Sequence, residues 1–347
     1  MTKAIVMRET GGPDVLRLSD VSLGPPGHGE VQIRQTAIGV NFHDVYVRSG
    51  LYKTLAFPGI PGIEAAGVVC AVGPDTDGFK PGDRVVYVTS SYGAYAEARN
   101  LPAAIALHLP ETLDDIAAAS VTLKGLTACM LLRHVHQVRP GETVLVHAGA
   151  GGVGQLLCRW SKHLGATVIA TVGSDEKARI ARDCGADHVI LYRKEDFVSR
   201  VSDITRGEGV AVAYDSVGKD TFLGSLECLA FLGKLVNFGQ SSGAVDPFPP
   251  ARLATRSNGL FRPVLFHFIR ERSALEALAR EAFRAIEDGV IRAETGLRLP
   301  LAEAAEAHRT LEERRVAGAV VLIPGPVGRN RCSQCGDYGR GLRRGDR

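Results

Sequence analysis

Apolar and polar positions follow two different patterns along the chain. Up to about residue 120 the apolar runs are short, and Val31–Thr36 begins with apolar and polar residues in alternation, as a half-buried strand does. Glycine and proline clusters at Gly11–Pro13 and Gly24–Gly27 separate these runs and indicate turns. The N-terminal third is therefore predicted to be rich in β-strands.

Between about residues 124 and 262, apolar runs of strand length alternate with runs of helix length. The predicted strands are Thr143–His147, Val168–Val172, His188–Ile190, Val210–Ser216 and Leu235–Phe238. Strands that alternate with helices in this way form a parallel, doubly wound sheet. This part is therefore predicted to be an α/β domain.

The residues after 262 carry two helix-like runs, Ser273–Asp288 and Leu301–Arg314, and a short apolar strand, Ala319–Ile323. The simplest architecture lets this C-terminal part return to complete the N-terminal domain, which leaves a cleft between two lobes. Ligands of such folds bind at the carboxyl ends of the parallel strands. The chain thus divides into four predicted parts, residues 1–123, 124–262, 263–325 and 326–347.

Charge is concentrated in the last of these parts. The 347 residues carry a formal net charge of +3, but residues 326–347 hold six arginines and two aspartates, so the rest of the chain sums to −1. The tail is rich in glycine and arginine and has almost no apolar residues, a composition typical of disorder. Because the body is near neutral, nucleic acid is not the expected partner, although the tail offers a basic segment.

Cysteine usage and hydropathy indicate a cytoplasmic protein. No uninterrupted apolar stretch is long enough to span a bilayer, and residues 1–6 lack the pattern of a secretory signal. Five of the seven cysteines are scattered through apolar segments, which is typical of reduced thiols. The other two, Cys332 and Cys335, supply only half of the four ligands of a structural zinc ion.

The most informative motif is the Gly-x-Gly-x-x-Gly turn at residues 149–154, which joins the apolar run Val144–Val146 to the helix-like run Gln155–Leu164. Its glycines allow a tight turn, a close approach of backbone to a pyrophosphate, and close packing of helix on strand. The N–H groups at the helix N-terminus then bind the phosphates. The predicted dinucleotide site comprises Gly149, Ala150, Gly151, Gly152, Val153 and Gly154.

The residues after the next strand favour NADPH over NADH. In NAD-preferring sites a carboxylate ends this strand and binds the ribose hydroxyls. Here the strand ends in Gly173 and Ser174, and Lys177 follows one helical turn later. A hydroxyl and an ammonium group attract the 2′-phosphate that a carboxylate would repel. The same residues also fit a helix start, with Ser174 as its cap and Lys177 as a solvated surface charge.

Further motifs carry a family resemblance. They are Gly39–Tyr52, Gly62–Gly73, Phe79–Val85, Leu123–Ala128, Thr171–Lys177, Tyr214–Gly218 and Asn237–Gly239. Together with the glycine turn, they resemble the zinc-independent quinone oxidoreductase branch, which includes the zeta-crystallins, of the medium-chain dehydrogenase/reductase superfamily over about residues 3–324. The resemblance implies an α/β fold with a GroES-like catalytic domain, a Rossmann domain that binds NADPH, and a homodimer. Ala230–Phe238 and Val264–Phe268 are candidates for an edge-to-edge sheet interface, and equally for core strands.

Zinc-dependent relatives need a cysteine or similar ligand where this chain has Asn41, and a histidine where it has Ile63. Neither side chain replaces thiolate or imidazole on Zn²⁺, and the histidines form no ligand pattern, so no metal is expected. Alcohol oxidation is then not expected, because no metal polarises an alkoxide. Quinones and alkenes conjugated to carbonyls accept hydride with hydrogen-bond support alone.

The resemblance places Asn41, Tyr46 and Tyr52 at the cleft as candidate catalytic residues. All three are hydrogen-bond donors, and the tyrosines can also donate a proton or stack on a flat ring. Alternatively, Asn41 holds a turn and the tyrosines cap the core. Glu64, in an apolar strand, requires a partner and is expected to pair with Arg84 or another basic residue.

The resemblance also implies cofactor contacts outside the glycine turn. Those near the nicotinamide are Thr127, Phe238 and Gly239, and those around the 2′-phosphate are Tyr192, Arg314 and Arg315. Three functions stay open at this point. An NADPH:quinone oxidoreductase leads, a reductase of 2-alkenals or enones has the same geometry, and an NADPH-binding protein with an RNA-binding or structural role is the third.

Overall fold

The computed structural model of the protein describes residues 1–325, which form two lobes built on separate sheets. The basic tail predicted at 326–347, with Cys332 and Cys335, lies outside the described residues.

The first lobe holds the N-terminal strands. They are β1 (Thr2–Val6), β2 (Arg17–Val21), β3 (Glu30–Val40), β4 (Glu64–Val72), β5 (Arg84–Val88), β6 (Ala98–Pro102) and β7 (Ala106–His108). β1 pairs with β2, while β3 pairs with β4 and β6, and β5 pairs with β4 and β7, all antiparallel. Val31 and Ile33 on β3 are fully buried between partly exposed polar neighbours, as the alternation predicts.

The second lobe is a six-stranded parallel sheet. Its strands are β8 (Thr143–Val146), β9 (Thr167–Val172), β10 (His188–Leu191), β11 (Val210–Asp215), β12 (Leu229–Asn237) and β13 (Gly259–Phe261). They lie in the order β10-β9-β8-β11-β12-β13, and every pair is parallel. This confirms the predicted doubly wound sheet. The strand order reverses between β8 and β11, so the ligand crevice is expected at their carboxyl ends.

The last two strands return to the first lobe. β14 (Thr295–Pro300) lies parallel to β15 (Ala319–Ile323), and β15 pairs antiparallel with β3. The resulting seven-stranded sheet has the path β14-β15-β3-β4-β5-β7, with β6 on β3. The C-terminal part therefore adds two strands to the N-terminal sheet. The divisions after residues 123 and 262 stay a prediction, and one helix runs across the first of them.

The helices pack on both sheets and between them. They are α1 (Phe42–Ser49), α2 (Asp115–Cys129), α3 (Gly152–His163), α4 (Asp175–Asp183), α5 (Phe197–Thr205), α6 (Phe222–Glu227), α7 (Leu265–Phe268), α8 (Arg272–Glu287) and α9 (Ala304–Glu312). α3 begins at Gly152, earlier than predicted, because the last glycine of the turn lies inside the helix. The segment Val264–Phe268, considered above as a strand, holds the short helix α7 instead.

Helix α2 is the central element of the core. The Asp114 side chain caps it by accepting the N–H of Ala117 at 2.7 Å, and almost every later residue is buried. The helix contacts β3, β4 and β15 of one lobe and α3 of the other. With the π-helical continuation over Met130–Val135, it is long and apolar enough to cross a membrane, but 72% of that stretch is buried inside the protein.

Truncation of a buried leucine on α2 tests this role. Leu126 is fully buried, so Leu126→Ala is expected to lower the free energy of unfolding by about 2–5 kcal/mol through lost apolar contact and a residual cavity. Urea denaturation measures the change. The matched control is Leu18→Ala on β2, where the side chain is 41% exposed and the expected change is within about 0.5 kcal/mol. Equal losses in the two variants would contradict a core role for α2.

Candidate functional site

A cleft of about 970 Å³ lies between the lobes, at the carboxyl ends of β8, β9 and β11. It gathers most of the predicted site residues. Those lining it are Asn41, Tyr46, Tyr52, Thr127, Ala150, Gly151, Gly152, Val153, Gly154, Gly173, Lys177, Tyr192, Phe238, Gly239 and Arg314. Gly149, Ser174 and Arg315 are not among the lining residues. The roles assigned to all of them stay predictions.

The glycine turn has the predicted shape, with a different division of roles. The residue in the left-handed region is Ala148, with φ of +53°, and not a glycine of the motif. A Cβ on Gly154 would overlap the carbonyl oxygen of Ala148, and one on Gly149 would lie 2.7 Å from the Cβ of Ala170 on β9. Gly149 and Gly154 thus allow close packing, while Gly151 caps α3 and presents the helix N-terminus to the cleft.

The other end of the cleft is basic. The Nζ of Lys177 donates to the carbonyl oxygen of Arg314 at 3.0 Å, and the Nη1 of Arg314 donates to the Tyr192 hydroxyl at 3.2 Å. Burial, followed by the neighbouring Arg314 and Arg193 charges, lowers the pKa of Lys177. The acid at the start of α4, Asp175, is held by Lys194 at 2.8 Å. An anion is therefore the matching occupant of this end.

Two residues predicted for this basic end take other positions. The Ser174 Oγ accepts the N–H of Lys177 at 3.3 Å and so caps α4, which is the alternative considered above. Arg315 pairs with Glu306 at 3.1 Å and also with Glu313, because the chain turns at Arg314 with φ of +57°. Arg314, and not Arg315, lines the cleft.

At the centre of the cleft wall, a buried polar network surrounds Glu64. One carboxylate oxygen accepts the N–H of Leu123 at 2.6 Å, and the other accepts from the Nδ2 of Asn41 at 3.1 Å. Lys124 donates to the Oδ1 of Asn41 at 2.9 Å and lies 3.9 Å from Glu64. Glu64 therefore pairs with a basic residue, as expected, but that residue is Lys124 and not Arg84, which binds Asp115 at 2.6 Å.

Burial is the main perturbation of this network. It raises the pKa of Glu64, while Lys124, the Leu123 N–H and Asn41 act in the opposite direction. Removal of the cation that faces a buried carboxylate strongly destabilises a protein. Lys124 therefore has a structural role in addition to lining the cleft. Lys124 was not among the predicted site residues, although it belongs to the Leu123–Ala128 motif.

Two tyrosine hydroxyls complete the chemistry of the cleft. Tyr46 accepts the N–H of Gln240 at 3.1 Å, and Tyr52 accepts from the Nη2 of Arg262 at 3.0 Å. The two rings meet edge to face, with centroids 5.1 Å apart. Since both hydroxyls already accept a hydrogen bond from the protein, each has its own O–H left to donate. Arg262 gave no sequence signal, because nothing in its neighbourhood indicates a site.

Ionisation in this region is shifted by burial. It raises the pKa of Tyr46 to about 12, so the phenol keeps its proton at neutral pH. It lowers the pKa of His43 to about 4, so this lining residue is neutral there. The cleft therefore offers Tyr46 as a neutral donor, with the cation Arg262 nearby.

Behind Asn41 lies a second buried acid. Asp44 accepts the Asn41 N–H at 2.9 Å and the Tyr95 hydroxyl at 3.1 Å, and Tyr95 also contacts His308 at 3.0 Å. Burial raises the pKa of Asp44 to about 7, against these hydrogen bonds. Its other oxygen has no hydrogen-bond partner among residues 1–325. Asp44 fixes the start of α1, which carries Tyr46.

The raised pKa of Asp44 predicts a pH dependence of stability. Because the folded-state pKa of about 7 exceeds the unfolded value of 3.8, the contribution of Asp44 is fully present below about pH 4 and is lost as the pH rises through 7. Its full size is about 4 kcal/mol. Asp44→Asn is therefore expected to gain stability relative to the wild type from pH 4 to 7 in urea denaturation. The exposed Asp246→Asn control should run parallel to the wild type, and a parallel Asp44→Asn curve would contradict the assignment.

Comparison with known proteins adds to this geometry. Residues 27–111 match the alcohol dehydrogenase GroES-like domain family, and residues 152–280 match the zinc-binding dehydrogenase family. A quinone oxidoreductase of Pseudomonas aeruginosa is 46% identical over 325 residues, covering 93% of this chain and 100% of that protein. A 2-haloacrylate reductase of a Burkholderia species is 42% identical, with 93% and 99% covered. The crystal structure of Escherichia coli quinone oxidoreductase complexed with NADPH matches with a TM-score of 0.90 at 43% identity, covering 93% of this chain and 100% of that chain.

Proposed function

Because the chain belongs to the quinone oxidoreductase branch of the medium-chain dehydrogenase/reductase superfamily, we propose that it reduces a quinone with NADPH in the cleft between its lobes. It is an NADPH-dependent oxidoreductase. The observation that carries the proposal is the pair of hydroxyls on Tyr46 and Tyr52. Each hydroxyl oxygen already accepts an N–H from the protein, so its own O–H is available to donate to a substrate. Such donors suit the carbonyl oxygen of a quinone.

The residues of the cleft fit NADPH. The N-terminus of α3 and the turn at 149–154 would hold the pyrophosphate, and a Cβ on Gly152 would crowd the Lys124 side chain at 3.0 Å. Lys177, Tyr192 and Arg314 would hold the 2′-phosphate at the basic end. Thr127, Phe238 and Gly239 line the part of the cleft left for the nicotinamide. When bound, NADPH supplies the hydride.

The protein groups then stabilise the negative charge that develops on the acceptor oxygen. Tyr52 donates its O–H to that oxygen, while its own hydroxyl oxygen accepts from the Arg262 guanidinium, which holds it in place. Tyr46 provides a second donor and keeps its proton because of its raised pKa. Asn41 is held at both ends by Lys124 and Glu64, so we assign it to positioning of the cleft wall rather than to chemistry.

A second candidate function is the reduction of a carbon–carbon double bond conjugated to a carbonyl. The similarity to a 2-haloacrylate reductase supports it. The same two hydroxyls suit an enolate oxygen as well as a quinone oxygen. Product analysis distinguishes a hydroquinone from a saturated carbonyl compound.

Turnover tests the proposal. The protein is expected to oxidise NADPH with 1,4-benzoquinone, with or without a metal chelator, and turnover of an enone alone would move it to the second function. Tyr52→Phe should lower kcat by about 100-fold, as loss of a proton donor does, with KM for NADPH unchanged. The control is Tyr214→Phe, because neither Tyr214 nor Leu131, whose carbonyl oxygen accepts its hydroxyl at 3.4 Å, lines the cleft. Absence of turnover with every acceptor, or equal kcat in both variants, would refute the proposal.

Cofactor choice has its own test. Lys177→Ala is expected to weaken NADPH binding by about 1.5–3 kcal/mol, the value of a charge-assisted contact, and to leave NADH binding nearly unchanged. Fluorescence titration of both cofactors measures this. Arg315→Ala is the matched control, because its guanidinium faces Glu306 and should not affect either cofactor. An equal loss for NADPH and NADH in Lys177→Ala would make Lys177 structural.

We also propose a homodimer formed through the edge of the six-stranded sheet. β13 is its edge strand, and Phe231 and Leu232 beside it are 74% and 80% exposed. Phe261 on β13 is exposed too, so an apolar patch lies next to unpaired strand backbone. Sedimentation at the mass of one chain would exclude this homodimer.

We place the protein in the cytoplasm, since its described cysteines are buried and form no disulfide.

A further inference from the structure

A second group of ligating side chains lies away from the cleft, between α2 and α8. The Sγ of Cys129, a ring nitrogen of His134 and a carboxylate oxygen of Glu281 all lie within 4.8 Å of one another. Within residues 1–325 no other group of three His, Cys, Asp or Glu side chains meets this criterion. None of the three residues lines the cleft.

The change of helical register after Cys129 explains this juxtaposition. α2 ends at Cys129, and the chain continues over Met130–Val135 as a π-helix, in which hydrogen bonds join residues five apart. In an α-helix, by contrast, the residues that share a face are three or four apart. His134 follows Cys129 by five positions, so the π-helical register brings both side chains to Glu281 on α8.

The three residues differ in how far they are exposed to solvent. Cys129 is fully buried, Glu281 is half-buried and His134 is exposed. The Nε of Arg133 donates to one oxygen of Glu281 at 2.8 Å, and the Glu281 carboxylate also accepts from the Cys129 thiol. Burial and the Glu281 carboxylate raise the pKa of the Cys129 thiol, so the thiol carries its proton in the metal-free chain. An ion from solvent can reach this group of side chains at the exposed imidazole of His134.

We propose that Cys129, His134 and Glu281 bind one Zn²⁺ ion, or a similar divalent ion that prefers thiolate, with water in the fourth position. Sulfur, nitrogen and oxygen are the ligand atoms that zinc takes, and three protein ligands plus water is a known coordination. Binding replaces the thiol proton, which passes to the buffer. The thiolate and carboxylate then balance the charge of the ion.

The required adjustment is small. Zinc bonds of about 2.0–2.3 Å in a tetrahedron place the ligand atoms roughly 3.3–3.8 Å apart. Because the three atoms lie within 4.8 Å of one another, the groups must approach by at most about 1.5 Å. The exposed His134 and the half-buried Glu281 can move that far by rotation of their side chains. Met130, which follows Cys129, lines the cleft. The ion therefore clamps the helix behind one cleft wall to α8.

This site is distinct from the catalytic zinc site of zinc-dependent relatives, whose ligand positions are Asn41 and Ile63 here. The expectation of a metal-free protein rested on those positions, on the histidines and on the cysteines visible as a pattern in the sequence. It did not consider Cys129 with Glu281, because only the folded chain brings the two together.

Cobalt titration tests the proposal. The full chain is used with Cys332→Ser and Cys335→Ser in every protein, because these tail thiols are competing ligands. We expect one Co²⁺ per chain, with the near-ultraviolet absorption of a cobalt–thiolate bond and displacement by Zn²⁺. His134→Ala should weaken binding by at least about 10- to 100-fold, the loss caused by removing even an outer-shell partner. Cys129→Ser should abolish the absorption.

The matched control is His163→Ala, another exposed histidine, at the end of α3, which should bind cobalt as tightly as the parent. Because His134 is exposed, its variant should keep the metal-free thermal midpoint of the parent. Absence of the thiolate absorption in the parent protein would overturn the proposal. So would equal affinities of His134→Ala and His163→Ala.

Discussion

The buried carboxylate of Glu64 is the contact on which the architecture of the cleft depends. It joins β4 to the backbone of α2 through Leu123 and to the start of α1 through Asn41. β3 must leave room for it, since a Cβ on Gly39 would overlap both this carboxylate and the carbonyl oxygen of Ala119 on α2. A buried charge of this kind is tolerated only when its hydrogen bonds are made, so the three elements are held in one arrangement.

That arrangement in turn sets the donors of the cleft. With α1 fixed at its first turn by Asp44, Tyr46 reaches the N–H of Gln240 in the other lobe. Arg262, beyond the last parallel strand, reaches Tyr52 from the same side. Each of these two hydroxyls is thus positioned by a group from the α/β lobe. The two lobes contribute to one site and not merely to the two walls of a crevice.

Local patterns in the sequence predicted the parts of this structure that depend on neighbouring residues. The strand–glycine–helix order located the turn at 149–154, and the apolar alternation located β3, because each reflects periodicity along the chain. The partners of Glu64 and Arg315 were not predictable in the same way. Arg84 and Lys124 are both reasonable cations by sequence, and only the packing of α2 chooses Lys124. For the same reason, Arg262 and the Asp44–Tyr95–His308 contacts appear only in three dimensions.

Because β15 pairs with β3, the first lobe cannot be completed until the end of the described chain has been synthesised. The first lobe's sheet needs β15, at Ala319–Ile323, which leaves the ribosome after the whole six-stranded sheet has emerged. Parallel strands β8–β13 can therefore form during synthesis, while β3 exposes an open edge. An unpaired edge is a template for wrong pairing. The nascent protein thus passes through a stage in which its α/β lobe is complete and its N-terminal lobe is not.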